Sequence, residues 1–416
     1  MPKLSKCHFM ATFAATAALL AGMQQVHAAG FQLKEQSAEG QGNSFAGSTA
    51  KAYDASTIFF NPAGMSELEG NQLQTNFTVI APDAPYEHGS LTGVTGVLEG
   101  GNTNGGTNAL VPSVYTVYDL NEDVKLGLSV NTPFGLSTEY NSGWAGAEYN
   151  MLSEIATITA TPSVSYKVND QLSIGVGVQM QYLEGRLTRQ ASPLANNSLV
   201  DLEASDFAFG GVVGVLYKYS DKGRIGFNYR SQVQHTLEGS VKISGAGGAN
   251  DYYHAHADLT TPDVISLGWY HELNDKWAVM SDIAWTNWSV FDKLDVVRDS
   301  TGATTSTTEY HWDDTMFYSL GLNYQYDEQV KLQTGIAYDE GAANDQYRTA
   351  GIPDTNRYWI SFGAEYKASD MLTWNMGYSY LYGEDAKVTE TSKNSDFSGT
   401  FEPSVHILSV GLSVSF

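Results

Sequence analysis

Basic side chains are scarce in this chain of 416 residues, 22 against 46 acidic ones, so each one on an inward strand position carries information. Strand parity points Arg230 and Arg357 inward, while Arg186, Arg189 and Arg348 fall near loops. A guanidinium in a dry enclosure holds a carboxylate through charge-assisted bonds worth about 1.5–3 kcal/mol. Arg230 and Arg357 are therefore candidates for an anionic head group, with pairing to an inward acid such as Asp282 or Glu365 as the plainer alternative. Other chemistry is thin. His254-x-His256 sets two imidazoles on one strand face without a third ligand in spacing, so no metal site is expected. No Gly-x-Ser-x-Gly elbow and no Walker pattern occurs, which makes an enzyme or a cofactor protein a poor reading.

The elements that would position those arginines are strands of period 2. In the terminal HILSVGLSVSF, the side chains of His406, Leu408, Val410, Leu412, Val414 and Phe416 share one face; small and polar ones take the other. Leu172 to Tyr182, Tyr358 to Tyr366 and Leu372 to Tyr382 alternate likewise. Six short polar turns, at 120–123, 168–171, 220–223, 273–276, 327–329 and 368–370, alternate with longer Gly/Asn/Thr-rich segments such as 100–108, 192–205, 245–251 and 300–308. The count is fourteen strands, and an even number with alternating short turns and long loops predicts an all-β, 14-stranded antiparallel transmembrane β-barrel with its apolar face to lipid. The 25 Tyr, 17 Phe, 8 Trp and 41 Gly suit aromatic girdles and a lumen of small residues.

The beginning of the chain predicts the compartment. Lys3 and Lys6 precede a short apolar run, and Val26-His27-Ala28 fits a small-x-small cleavage site, so residues 1–28 read as a secretory signal. Lys3 and Lys6 leave with it, and 22 basic residues become 20 against 46 acidic ones, a net −26. That balance disfavours nucleic acid as a partner. The sole cysteine, Cys7, leaves too, so disulfide staples are not expected. Residues 29–68 show no strand alternation, and Ile58, Phe59 and Phe60 seek burial. A fourteen-strand lumen is wide enough to hold them, so a small N-terminal hatch, or plug, is expected inside a barrel spanning 69–416.

Several stretches resemble one family, the FadL-type outer-membrane transporters of long-chain fatty acids and other hydrophobic compounds. They are AGFQL at 29–33, Asn61-Pro62-Ala63, TPFGLSTEY at 132–140, WAVMSDIAWTNWSVFDKL at 277–294 and IPDTNRYWISFGAEY at 352–366. The resemblance covers nearly the whole mature chain. It implies a multi-pass protein of a Gram-negative outer membrane that admits hydrophobic ligands passively, by capture in an internal pocket, hatch rearrangement and lateral exit through the wall. Its partners would be the ligand, outer-membrane lipid and lipopolysaccharide, and the barrel assembly machinery, with the protein acting as a monomer. A general diffusion porin and an aromatic-hydrocarbon channel are the alternatives.

Physical chemistry favours a lateral route. Each buried methylene gains about 0.8 kcal/mol, so ten give roughly 8 kcal/mol and micromolar binding. Capture is then easy and release into water hard, whereas lipid is as apolar as the pocket. The family's third strand is kinked, opening the wall towards strand 2 beside the hatch. Pro112 and Pro133, with Asn131 about opposite Pro112 and Gly135 just beyond, supply residues for such a seam, because two prolines remove ladder donors. Phe31, Phe59, Phe60 and the Asn61-Pro62-Ala63 corner are the expected hatch contacts to ligand. The segment from about Gly185 to Ser205 is short for an outer capture groove.

Overall fold

The computed structural model describes residues 30–93, 98–99, 103–141, 143–191, 198–246, 249–392 and 395–416. The expected signal segment lies outside them. Fourteen antiparallel strands run in chain order around a closed wall: β1 (Gln72–Asp83), β2 (Ala109–Asp119), β3 (Val124–Asn131 and Gly135–Glu139), β4 (Leu152–Lys167), β5 (Leu172–Arg189), β6 (Leu199–Ser220), β7 (Gly223–Arg230 and Val233–Ala246), β8 (Ala249–Thr261 and Val264–Glu272), β9 (Trp277–Thr286 and Lys293–Arg298), β10 (Ala303–Glu309 and Thr315–Gln325), β11 (Val330–Asp339), β12 (Arg357–Lys367), β13 (Leu372–Gly383) and β14 (Ser404–Ser415). Closure is made by β1 on β14, in register from Gln72–Ser415 to Asp83–Ser404. A closed wall leaves no open sheet edge.

Alternation sets the two faces. On β5, Val176 and Val178 are each 52% exposed on the outer surface, whereas Gln179 and Gln181 are buried towards the lumen. Four of the six short turns share one device. Asn121, Asn169, Asn274 and Asp327 each accept, through Oδ1, the backbone N–H groups two and three residues ahead, which reverses the chain without a ladder partner.

At the long-loop end the expected loops are partly sheet. Leu199–Ser205, within the stretch expected to be loop, pairs with Ser244–Glu238 of β7, and from Val200 onwards also with Arg189–Glu184 of β5. Ala303–Glu309 likewise pairs with Lys293–Arg298. Its run of Thr suits an exposed strand as well as a loop, and the pairing decides. On the opposite side, Pro85–Gly93, Ala386–Thr391 and Ser395–Phe401 form a separate small sheet. Its core stacks Tyr86 on Phe397 at 5.5 Å, with Trp144 edge-on at 5.8 Å, and it caps that end of the barrel.

Residues 30–68 contribute no wall strand and are almost wholly buried against inward side chains of the barrel. They fold as α1 (Ala38–Gly42), capped by Ser37 Oγ accepting from Gly40 N at 3.1 Å, then α2 (Thr57–Phe60) and a 3-10 turn, Pro62–Glu67. Ser44, Phe45 and Ala52 adopt positive φ, a cost that dense surroundings must hold. Lys51 and Glu39 form a buried ion pair at 2.7 Å, and Gln41 reaches Ser379 at 2.5 Å.

Candidate functional site

The site begins where β3 breaks. Between Asn131, opposite Thr159, and Gly135, opposite Ala156, β3 spends four steps on three of β4, so one extra residue bulges. The β2–β3 ladder runs from Asp119–Lys125 up to Val114–Val130 and stops. Contact resumes at the Gly106–Thr138 bridge, where Glu139 N donates to Gly105 O at 3.1 Å. A window without ladder bonds lies between these limits. Pro112 is in register with Phe77 of β1 on its other side. Continuing the β2–β3 register places Pro112 level with Thr132, one residue beyond the expected Asn131.

The chain after Gly30 lies along the inner side of this window. Leu33 N donates to Pro133 O and Gly135 N to Phe31 O, both at 2.8 Å. Gln36 Nε2 donates to Thr132 O at 2.7 Å, and Gln36 Oε1 accepts from Asn131 Nδ2 at 3.2 Å. Tyr115 Oη donates to Gln36 O at 2.6 Å. Carbonyls freed by the kink are thus satisfied by the hatch rather than by β2, as a buried backbone requires. Gly30 sits at φ +56°, and a Cβ there would strike the Trp288 indole.

Phe31 is fully buried in an aromatic cage: Trp288 at 4.7 Å, Phe291 at 5.3 Å and Phe134 at 5.9 Å, with Trp312 against Trp288 at 5.0 Å. Above the cage is an apolar pocket of about 40 Å³ walled by Leu136, Ile155, Leu183, Leu237, Leu259 and Phe291. It shares Ser153, Leu187, Leu202, Leu294 and Tyr310 with an outer cavity of about 200 Å³. The outer cavity has an apolar side, including Val200, Val241, Ile243 and Val296, and a hydroxyl side with Thr188, Thr305, Ser306 and Thr308. The tops of β5 to β10 build it, so an outer pocket exists although the β5–β6 connection is short. Two charged residues line it, Arg189 and Glu390. Glu390 accepts from Ala350 N at 2.9 Å, and burial pushes its carboxyl up to about 7.

Below the cage, a cavity of about 70 Å³ is lined by Phe45, Phe59, Phe60, Lys34, Arg230 and Phe317, among others. Arg230 is buried; it donates to Gln179 Oε1 at 2.6 Å and to Phe59 O at 2.7 Å, and stacks 4.4 Å above the Phe59 ring. No carboxylate pairs with it among the described residues. Lys34, with its Nζ 4.2 Å from the Phe317 ring centre, also has no ion-pair partner among them. Arg357 differs: Asp339 neutralises it at 2.9 Å, with both side chains buried, so of the two arginines expected to face inward only Arg230 is without an ion-pair partner among the described residues. Buried charges demand such partners. Asp282 is held by the Thr49 hydroxyl and amide instead.

Asn61-Pro62-Ala63 does not touch the cavities. Asn61 caps the 3-10 turn by accepting from Ala63 N at 3.1 Å and donates to Thr49 O at 2.8 Å and Val215 O at 3.0 Å. The corner presses so closely on the wall that a Cβ at Gly175 or Gly214 would collide with it. Trp288, Phe291, Trp312 and Phe134 received no role from the sequence. Three of them lie inside two of the family-like stretches, WAVMSDIAWTNWSVFDKL and TPFGLSTEY, and that was the available signal. No group of three His, Cys, Asp or Glu suited to a metal is found among the described residues; His256 binds Asp299 at 2.7 Å.

A closed fourteen-strand barrel with a lipid-facing apolar surface, a filled lumen and greasy internal cavities defines an outer-membrane transport protein. The chain belongs to the outer membrane protein transport family (OMPP1/FadL/TodX), whose profile matches residues 19–416. It is 30% identical to outer membrane protein P1 of Haemophilus influenzae, over 93% of each chain. It is 28% identical to the long-chain fatty acid transport protein of Escherichia coli O6:H1, over 88% of this chain and 90% of that one. Among solved structures, a Pseudomonas aeruginosa FadL homologue superposes with a TM-score of 0.87 at 24% identity, covering 93% of this chain and all of that one. The Pseudomonas putida toluene transporter TodX gives 0.70 at 19%, covering 91% and 98%. These structures speak for the shared fold. The protein is placed in the outer membrane, and its family is one of transporters of fatty acids and hydrocarbons.

Proposed function

We propose that this protein admits long-chain fatty acids, and comparable hydrophobic compounds, by passive movement along the three cavities. A ligand is captured in the outer cavity, passes to the apolar pocket above the Phe31 cage, and leaves sideways through the β2–β3 window when the hatch segment 31–36 withdraws. The observation that carries this reading is Arg230, a buried cation with no ion-pair partner among the described residues, beside an aromatic-rich cavity whose one acid, Asp282, is held by Thr49. An uncompensated buried charge is costly, and an incoming carboxylate would relieve that cost. A neutral hydrocarbon would not need it. The window supplies an apolar exit, and the three backbone and side-chain bonds from Leu33, Phe31 and Gln36 supply its closure.

The test is uptake of labelled oleate by a barrel-competent host lacking its own fatty-acid channel, beside a small sugar. Oleate uptake without sugar flux is expected. Sugar flux without oleate would return the general porin reading; toluene uptake without oleate would favour the aromatic-hydrocarbon channel.

A further inference from the structure

The β2–β3 window has a counterpart at the same height. Strand β6 pairs with the lower half of β7 up to Val212–Arg230 and with the upper half from Ser205–Glu238. Between those limits, residues 206–210 of β6 and 232–237 of β7 form no ladder. Ser231–Gln232 is the bulge responsible: inward positions on β7 are Asn228 and Arg230 below it, and Val233, His235 and Leu237 above it. Both interruptions shift register by one residue at a break in one strand. The β4–β5 and β5–β6 ladders between them hold, with Phe209 level with Met180 and Asp206 level with Leu183 on β5.

The apolar pocket reaches from β3, which forms one side of the first window, to the second seam. Leu136 and Ile155 wall it on the β3–β4 side, Ala204 and Leu237 on the β6–β7 side. On the lipid side of the second seam, Phe207 and Phe209 are 50% and 61% exposed and meet edge-to-face at 5.2 Å. Inside, the seam is barred by one side-chain bridge, His235 Nδ1 to Asp206 Oδ2 at 3.0 Å, with His235 Nε2 on Gln181 Oε1 at 3.0 Å. Val233 closes the lower corner against Gly210. A missing stretch of ladder in a membrane wall is costly, because lipid offers no replacement bonds. Here a bulge, a glycine and a movable bridge concentrate that cost beside the pocket.

We propose that the β6–β7 seam is a second lateral port, through which ligand dissolved in the membrane reaches the apolar pocket, with Asp206–His235 as its bolt. This rests on the pocket carrying hydrophobic ligand. Phe209 and Gln234 face each other across the seam in the register of Ser205–Glu238. The chain's sole cysteine lies in the segment read as signal, so paired thiols can be placed without background. Phe209→Cys with Gln234→Cys, joined by a bis-maleimide whose spacer holds a disulfide, is assayed for oleate uptake in the channel-less host. Uptake is expected to fall at least threefold on joining and to recover when the spacer is reduced. Oleate affinity of the purified joined protein, read by tryptophan fluorescence, is expected to stay unchanged while ligand exchange slows. Asp206→Ala is expected to speed exchange. Joined protein that takes up oleate at the unjoined rate overturns the port alone; wild-type protein that takes up none overturns the transport reading and the port with it.

Discussion

The side-chain amide of Gln36 donates to the carbonyl of Thr132 at 2.7 Å, tying the hatch to the kink of β3 at the one stretch where β2 makes no ladder with it. The same residue accepts from Asn131 and, through its carbonyl, from Tyr115 and Ser113. Under the proposed lateral exit, hatch position and window closure become a single variable. Gln36→Ala removes the bond to the Thr132 carbonyl and one of the two bonds of the Asn131 amide, which keeps Tyr115 Oη, a loss of about 1–3 kcal/mol in a buried setting. The expected result is a lower melting temperature in detergent together with faster ligand exchange. A lower melting point with unchanged exchange would reduce Gln36 to a packing role.

Arg230→Gln removes the buried cation while keeping a donor for Gln179. A charge-assisted head-group bond of about 1.5–3 kcal/mol corresponds to a loss of oleate affinity of roughly ten- to a hundredfold. Methyl oleate, which has no carboxylate, should lose little. Equal losses for acid and ester would place the head group elsewhere.

Closing the window covalently is not needed to test it. Pro112→Val with Pro133→Val restores two ladder donors on facing strands. Slower oleate uptake is expected, with heat-modifiable barrel mobility on gels unchanged. Wild-type uptake in that variant would count against exit between β2 and β3.

The outer cavity should respond to pH through Glu390. Its carboxyl titrates near 4.5 when exposed but near 7 when buried at its place in the capping sheet. As pH rises from 4.5 to 7 the exposed form gives up its proton while the buried form keeps it, so seating of the cap weakens over that window. Above 7 the buried site also turns anionic and opposes an incoming carboxylate. Oleate capture is expected to be faster at pH 6 than at pH 8, and Glu390→Gln should flatten the profile. A profile that survives the substitution would falsify this assignment.

The barrel was legible because each strand repeats one simple rule, apolar out and small or polar in, and because Asn121, Asn169, Asn274 and Asp327 mark turns chemically. Arg230 and Arg357 were equally legible as inward cations, since parity fixes facing. Which of them carries a free charge was not, because Asp339 meets Arg357 across the β11–β12 ladder, a register no local pattern reveals. The Phe31 cage was hidden for a related reason: Phe134, Trp288 and Trp312 come from three breaks in strands, and only the wall's curvature brings them together. Leu199–Ser205 escaped notice as strand because its polar inserts resemble a loop until β7 pairs with it.

Part of the segment 30–68 meets partners at the far end of the sequence. Gln41 reaches Ser379, 338 residues away, Gly42 lies against Gly363, and β1 is sealed only by β14. Contacts of such long sequence separation carry a high loop-closure cost and form slowly. The seam that shuts the wall and part of the packing that seats residues 30–68 thus draw on the same terminal stretch of chain, so a truncation there would loosen both together.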